Sequence, residues 1–115
     1  MKINPKFLLV LKSSGLGDGE VDLGENLLEK FLNVLYDLSD LPARIICMNS
    51  AVFLTTGNSR FIELFNKYIN AGTEIFSCGT CLEYYGRTDQ LKIGAVGNMK
   101  ETVNAMLSFE KVISL

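Results

Sequence analysis

The chain has 115 residues, 48% of them hydrophobic, enough for one domain around a single buried core spanning 1–115. Its 11 basic and 13 acidic residues nearly balance and do not cluster, which excludes the basic surface that nucleic acid requires. There is no histidine, so Ser-His and Cys-His catalysis and histidine metal ligation are excluded, and cysteine is the most reactive residue type left.

In chain order, the apolar run from Lys6 to Lys12, bounded by Pro5 and Ser13-Ser14-Gly15, reads as a buried strand. Asp22 and Glu25 have the spacing of a helix N-cap with its reciprocal partner. The helix that follows would bury Leu27, Leu28, Phe31, Leu32, Leu35 and Leu38 and stop at the Asp40-Leu41-Pro42 turn. Ala43 to Met48 reads as a second buried strand closed by Asn49-Ser50. A helix with Phe61, Leu64, Phe65, Tyr68 and Ile69 inward then ends at Asn70-Ala71-Gly72.

Thr73 to Ser77 reads as a short third strand ending at Cys78. Thr80 and Glu83 repeat the capping spacing, which predicts a short helix from Cys81 to about Gly86. Leu91 to Val96 is the expected fourth strand. Asn98 and Glu101 cap a last helix with Met99, Val103, Met106 and Leu107 inward, and Lys111 to Leu115 is a fifth strand. Strand and helix alternate throughout, which predicts a three-layer α/β/α domain with a five-stranded, mainly parallel sheet.

Functional groups in such sheets gather beyond the carboxyl ends of the strands, here at Ser13 to Glu20, Asn49 to Thr56 and Cys78 to Cys81. Cys78-Gly79-Thr80-Cys81 places two thiols at a strand-to-helix turn, where helix N–H groups favour thiolate. The C-x-x-C spacing also lets one thiol resolve a bond formed on the other. The alternatives are a pair of packed cysteines or half of a zinc site completed by another chain. Cys47, inside an apolar strand, reads as core.

The turn Ser13-Ser14-Gly15-Leu16-Gly17-Asp18-Gly19 stands where many folds cradle phosphate, but it lacks a P-loop ending and dinucleotide spacing. Asp18, Glu20 and Asp22 make it acidic, so a flexible turn and a substrate loop remain equal readings, and no cofactor is expected. Of Tyr84 and Tyr85, one would enter the core and the other line the site or a subunit contact. Arg87 reads as a surface residue near a helix end.

The longest apolar run, Phe7 to Leu11, is far short of the roughly 18 residues that cross a bilayer, so no membrane partner is expected. The same run is too short for a signal-peptide core. An odd cysteine count with two residues three apart fits a reducing, cytoplasmic compartment.

Three segments carry a resemblance to the DsrE-like superfamily and, within it, to the YedF-like proteins linked by name to selenium metabolism. They are Lys12 to Gly19 after the first strand, Asn49-Ser50 after the second, and Ser77 to Gly86 after the third. Sulfur-relay members keep a cysteine at the end of the third strand and a glycine eight residues on; Cys78 and Gly86 match. The resemblance implies a sulfur or selenium carrier or transferase in which Cys78 bears a persulfide or its selenium equivalent. Cys81 would be the second reactive thiol, and Ser13, Ser14, Gly15, Gly17, Asn49, Ser50, Gly79 and Thr80 would form the substrate rim. Implied partners are sulfur or selenium donor and acceptor proteins, such as the TusA-like domain that commonly precedes this one, together with further copies in a homo-oligomer. A dithiol redox module and a non-catalytic assembly domain are the alternative functions.

Overall fold

The structure, a computed structural model, describes residues 2–115. Five strands alternate with helices: β1 (Ile3–Leu11), α1 (Val21–Asp37), β2 (Leu41–Cys47), the one-turn α2 (Phe53–Thr56), α3 (Ser59–Ala71), β3 (Glu74–Cys78), α4 (Gly79–Tyr84), β4 (Ala95–Gly97), α5 (Met99–Ser108) and β5 (Lys111–Ser114). A 3-10 turn at Asn49–Val52 leads into α2, and another at Thr88–Gln90 follows α4. The strands form one sheet in the order β4-β3-β2-β1-β5, with every neighbouring pair parallel.

The two-residue period of β1 creates the layers. Phe7, Leu9 and Leu11 face one side and pack with Leu28 and Leu32 of α1 and Phe61, Phe65 and Tyr68 of α3. Leu8 and Val10 face the other side, where Ile46 and Ala105 of α5 complete a smaller cluster with Met48 and Phe109. The fold is therefore the expected three-layer arrangement, with its larger core beneath α1 and α3.

Several boundaries differ from the sequence reading. α1 begins at Val21, with no side-chain bond from its N-cap residue Glu20. Asp22 accepts the N–H of Leu23 within the first turn, while Glu25 bonds Arg60 at 2.8 Å and the Asn58 amide at 3.0 Å. A charge-assisted tie between α1 and α3 thus replaces the local capping pair. Leu28 and Leu32 are buried as expected, but Leu27 and Leu38 are 41% and 70% exposed because the sheet covers only part of so broad an apolar face.

Leu41 and Pro42 belong to β2 rather than to a turn. Proline is tolerated there because the β1–β2 register shifts between Asn4 and Leu8, beside the Asn4 to Pro42 pairing, so the missing N–H falls where the ladder is interrupted. α4 starts at Gly79, with Cys78 in the N-cap position instead of Thr80. β4 covers Ala95–Gly97, and most of the expected Leu91–Val96 strand is connection: Lys92 N–H bonds the Thr55 carbonyl at 2.9 Å, and Gly94 takes φ +75°.

α5 begins as expected, with Asn98 Oδ1 accepting the Glu101 N–H at 2.9 Å. Its inward residues are Thr102 and Ala105, however, and Met99, Val103, Met106 and Leu107 are exposed. Ala105 packs on Leu8, Val10 and Ile46, and the buried Thr102 hydroxyl is satisfied by the Asn98 carbonyl at 3.0 Å.

Candidate functional site

Because β3, β2 and β1 are neighbours and parallel, the loops leaving their carboxyl ends meet on one rim. Two hydrogen bonds join them. Ser14 N–H donates to Ser50 Oγ at 3.1 Å, and Asn49 N–H donates to Cys81 Sγ at 3.1 Å. The glycine-rich loop, the Asn49-Ser50 segment and the cysteine turn are therefore one connected structure.

Much of the glycine-rich loop serves the fold. The Ser13 hydroxyl donates to the Gly15 carbonyl and accepts the Gly15 N–H at 3.3 Å, closing a local turn. Gly17 has φ +82°, a conformation suited to glycine. Ser13, Ser14 and Gly15 are half-buried, while Gly17, Asp18 and Gly19 are exposed.

The cysteine turn follows directly from β3. Ser77 points into the protein, where its hydroxyl pairs with that of Thr55 at 2.8 Å, both side chains being buried. Cys78, the last strand residue, is 9% exposed. Gly79 starts α4 against β4, where an added Cβ would stand 3.1 Å from Val96 Cγ1. Thr80 is exposed, and Cys81, three residues after Cys78, is half-buried.

Cys81 opens into a cavity of about 400 Å³ lined by Asn49, Thr80, Cys81, Tyr84 and Tyr85. No charged side chain lines it. A second cavity, of about 380 Å³, lies along α1 between Leu16, Phe31, Val34 and Leu38; it is mainly apolar, with Lys30 at its wall, and holds no thiol.

The three thiols differ in environment. Cys47 is fully buried, and desolvation pushes its pKa up to about 12, as befits the core role expected of it. Burial also raises the pKa of Cys81, and Cys78 adds to that rise through a side-chain hydrogen bond and its charge. The Asn49 N–H acts in the opposite direction. All three cysteines are free. Among the described residues, no group of three or more Cys, Asp or Glu is placed to hold a metal ion.

Sequence reasoning missed how the wall of the cavity is held. Both tyrosines line it: Tyr84 is 83% exposed, whereas Tyr85 packs its ring 4.5 Å from that of Phe53 and reaches Asn49 Oδ1 with its hydroxyl at 3.4 Å. Arg87 lies over Phe53, 4.4 Å from the ring centroid, and donates to Thr56 Oγ1 at 3.0 Å. Its guanidinium thus braces α2 and does not line the cavity. Tyr84-Tyr85 directly after the cysteines was the available signal; the part played by Phe53 had none, because it arises from packing between distant segments.

No protein-family model and no curated protein sequence matches the chain. Solved structures do match it. The crystal structure of the ychN protein from E. coli superposes with a TM-score of 0.72 at 18% identity, covering 97% of this chain and 100% of that one. A conserved protein of unknown function from Bacteroides thetaiotaomicron, BT1422, superposes with a TM-score of 0.66 at 20% identity, covering 96% and 95%. At these identities the likeness establishes a shared fold along nearly the whole chain.

Proposed function

We propose that this chain is a DsrE-like sulfur or selenium carrier in which Cys78 and Cys81 act as a pair. The carrying observation is that two interacting thiols stand at the carboxyl rim of a parallel sheet, Cys78 sheltered at the strand end and Cys81 facing a cavity. The segment resemblance around Ser77 to Gly86 and the end-to-end fold likeness to the ychN protein support the same reading.

In this reading Cys78 is the attacking thiol. The Cys81 thiol, whose pKa is raised by burial, stands beside it, with a side-chain hydrogen bond between the two sulfurs. The Cys78 thiolate attacks the outer sulfur of an organic persulfide, R–S–SH. A new S–S bond forms on Cys78, the donor S–S bond breaks, and R–S⁻ leaves, so the transfer is redox-neutral. A partner thiolate attacking the outer sulfur of the Cys78 persulfide discharges it by the same chemistry. Alternatively, Cys81 attacks the inner sulfur, giving a Cys78–Cys81 disulfide and HS⁻; a dithiol reductant then restores the pair.

Donor and acceptor proteins bearing thiols, such as TusA-like domains, are the partners this chemistry requires, and self-association of the chain belongs to the same reading. Mass spectrometry after exposure to a sulfane donor provides the test. The wild type should gain one sulfur atom, Cys78→Ser should gain none, and Cys81→Ser should load yet discharge poorly. Loss of two hydrogens without sulfur gain would point to a dithiol redox module, and an inert protein to an assembly role.

A further inference from the structure

Asn49 has φ +54°, a left-handed conformation shared among the described non-glycine residues only by Ser39. Such a backbone is unfavourable for a residue with a β-carbon, and asparagine is among the residues that tolerate it best. Here the conformation is held from two directions. Asn49 Oδ1 accepts the N–H of Ser50 at 2.8 Å and faces the Tyr85 hydroxyl at 3.4 Å. Tyr85 is itself fixed between the rings of Phe53 and Tyr84, at centroid distances of 4.5 Å and 5.2 Å.

The product of this arrangement is one directed group, the Asn49 N–H, which donates to Cys81 Sγ at 3.1 Å. Sulfur is a weak acceptor as a thiol and a much stronger one as a thiolate, so the bond favours the charged form. We propose that Asn49 is a positioning residue whose left-handed main chain aims its N–H at Cys81 and stabilises the negative charge this sulfur takes up when it attacks or leaves. The proposal deepens the carrier reading and rests on Cys81 being the second thiol of that pair. It gives the second step its own electrostatic support, separate from the first.

The groups around Cys81 make the effect measurable. Its titratable neighbours are Cys78 at the end of β3, Tyr84 at the end of α4 and Tyr85 just beyond it; the segment after β2 contributes Asn49 and Ser50, neither of which titrates. With Cys78 replaced by serine, the charge of the neighbouring thiol is removed, and the N–H of Asn49 opposes the effect of burial.

The experiment measures the pH dependence of iodoacetamide alkylation of Cys81 in full-length Cys78→Ser protein, with Asn49, Asn49→Val and Asn49→Gly compared. Valine disfavours positive φ, so Asn49→Val should move the alkylation midpoint upward by about one pH unit, a tenfold loss of thiolate. Glycine adopts positive φ freely and keeps the N–H in place, so Asn49→Gly should stay within a few tenths of the parent. Tyr85→Phe, which removes only the hydroxyl brace, should fall between them. If Asn49→Val does not fold, Asn49→Ala takes its place and the same order is required. An unmoved midpoint in the folded valine or alanine variant overturns the proposal, as does an equal shift in the glycine variant. Sulfur loading of the wild type is scored separately. A protein that loads normally but shows no dependence on residue 49 refutes this inference alone; one that never loads but shows the dependence refutes only sulfur transfer.

Discussion

Gly15 and Gly24 meet backbone to backbone: a Cβ built on Gly15 would lie 2.7 Å from the Gly24 carbonyl carbon, and the N–H of the next residue, Leu16, donates to the Gly24 carbonyl at 2.9 Å. The glycine-rich turn is thus fastened to the first turns of α1 by main-chain contact. Main chain cannot move aside as a flexible side chain can. Gly15→Ala should therefore destabilise the protein by about 1–3 kcal/mol, the usual range for overpacking, whereas Gly19→Ala, with open space around it, should cost far less. Chemical denaturation of the two variants checks this, and equal stabilities would show that the loop yields.

Tyr68 is fully buried at the centre of the α1–α3 layer, and its hydroxyl donates to the Leu32 carbonyl at 2.6 Å. Tyr68→Phe retains the packed ring, including its edge-to-face contact with Tyr36 at 5.4 Å, and removes that bond alone. The expected loss is about 1 kcal/mol in urea, with an unchanged denaturant slope. A loss of several kcal/mol would mean that the ring itself has shifted.

Alkaline stability should report on Cys47. Its folded pKa of about 12 lies above the ordinary thiol value of 9.0, so the fold favours the neutral thiol. The contribution is complete below about pH 9 and is lost as pH rises toward 12, since the unfolded chain releases the proton first. Within that window the slope attributable to Cys47 is about 1.4 kcal/mol per pH unit. Under reducing conditions, Cys47→Ala should flatten the decline between pH 9 and 10 by most of that amount. Identical slopes in the two proteins would contradict it.

Thiol labelling of the native protein should proceed in order of access. Cys47 is wholly enclosed, Cys78 is 9% exposed and Cys81 lines an open cavity. Ellman's reagent at neutral pH should react at Cys78 and Cys81 before Cys47, which reacts only on unfolding. Peptide mapping that finds Cys47 modified before either of the others would show that the β2 core opens more readily than its packing implies.

Elements were legible in the sequence wherever a short-range signal decided them. The apolar run of β1, the inward Phe61, Leu64, Phe65 and Tyr68 of α3, the Gly72 terminus and the Asn98 cap of α5 depend on periodicity and local hydrogen bonding, which the chain carries in itself. The alternation of strands and helices likewise sufficed for a parallel three-layer sheet, and hence for the expectation that three loops share one rim. Only the tertiary structure decided which face of α5 turns inward, because packing on Leu8, Val10 and Ile46 takes up Ala105, with Thr102 beside it, and leaves Met99 and Val103 exposed. It also decided that Glu25 joins Arg60 rather than capping its own helix, since an opposite charge brought close by packing is a stronger partner than a local amide. The setting of Cys81 was beyond sequence for the same reason. The N–H that reaches its sulfur comes from Asn49, 32 residues away along the chain, and is aimed by a dihedral angle and a tyrosine brace that exist only once β2 and β3 lie side by side.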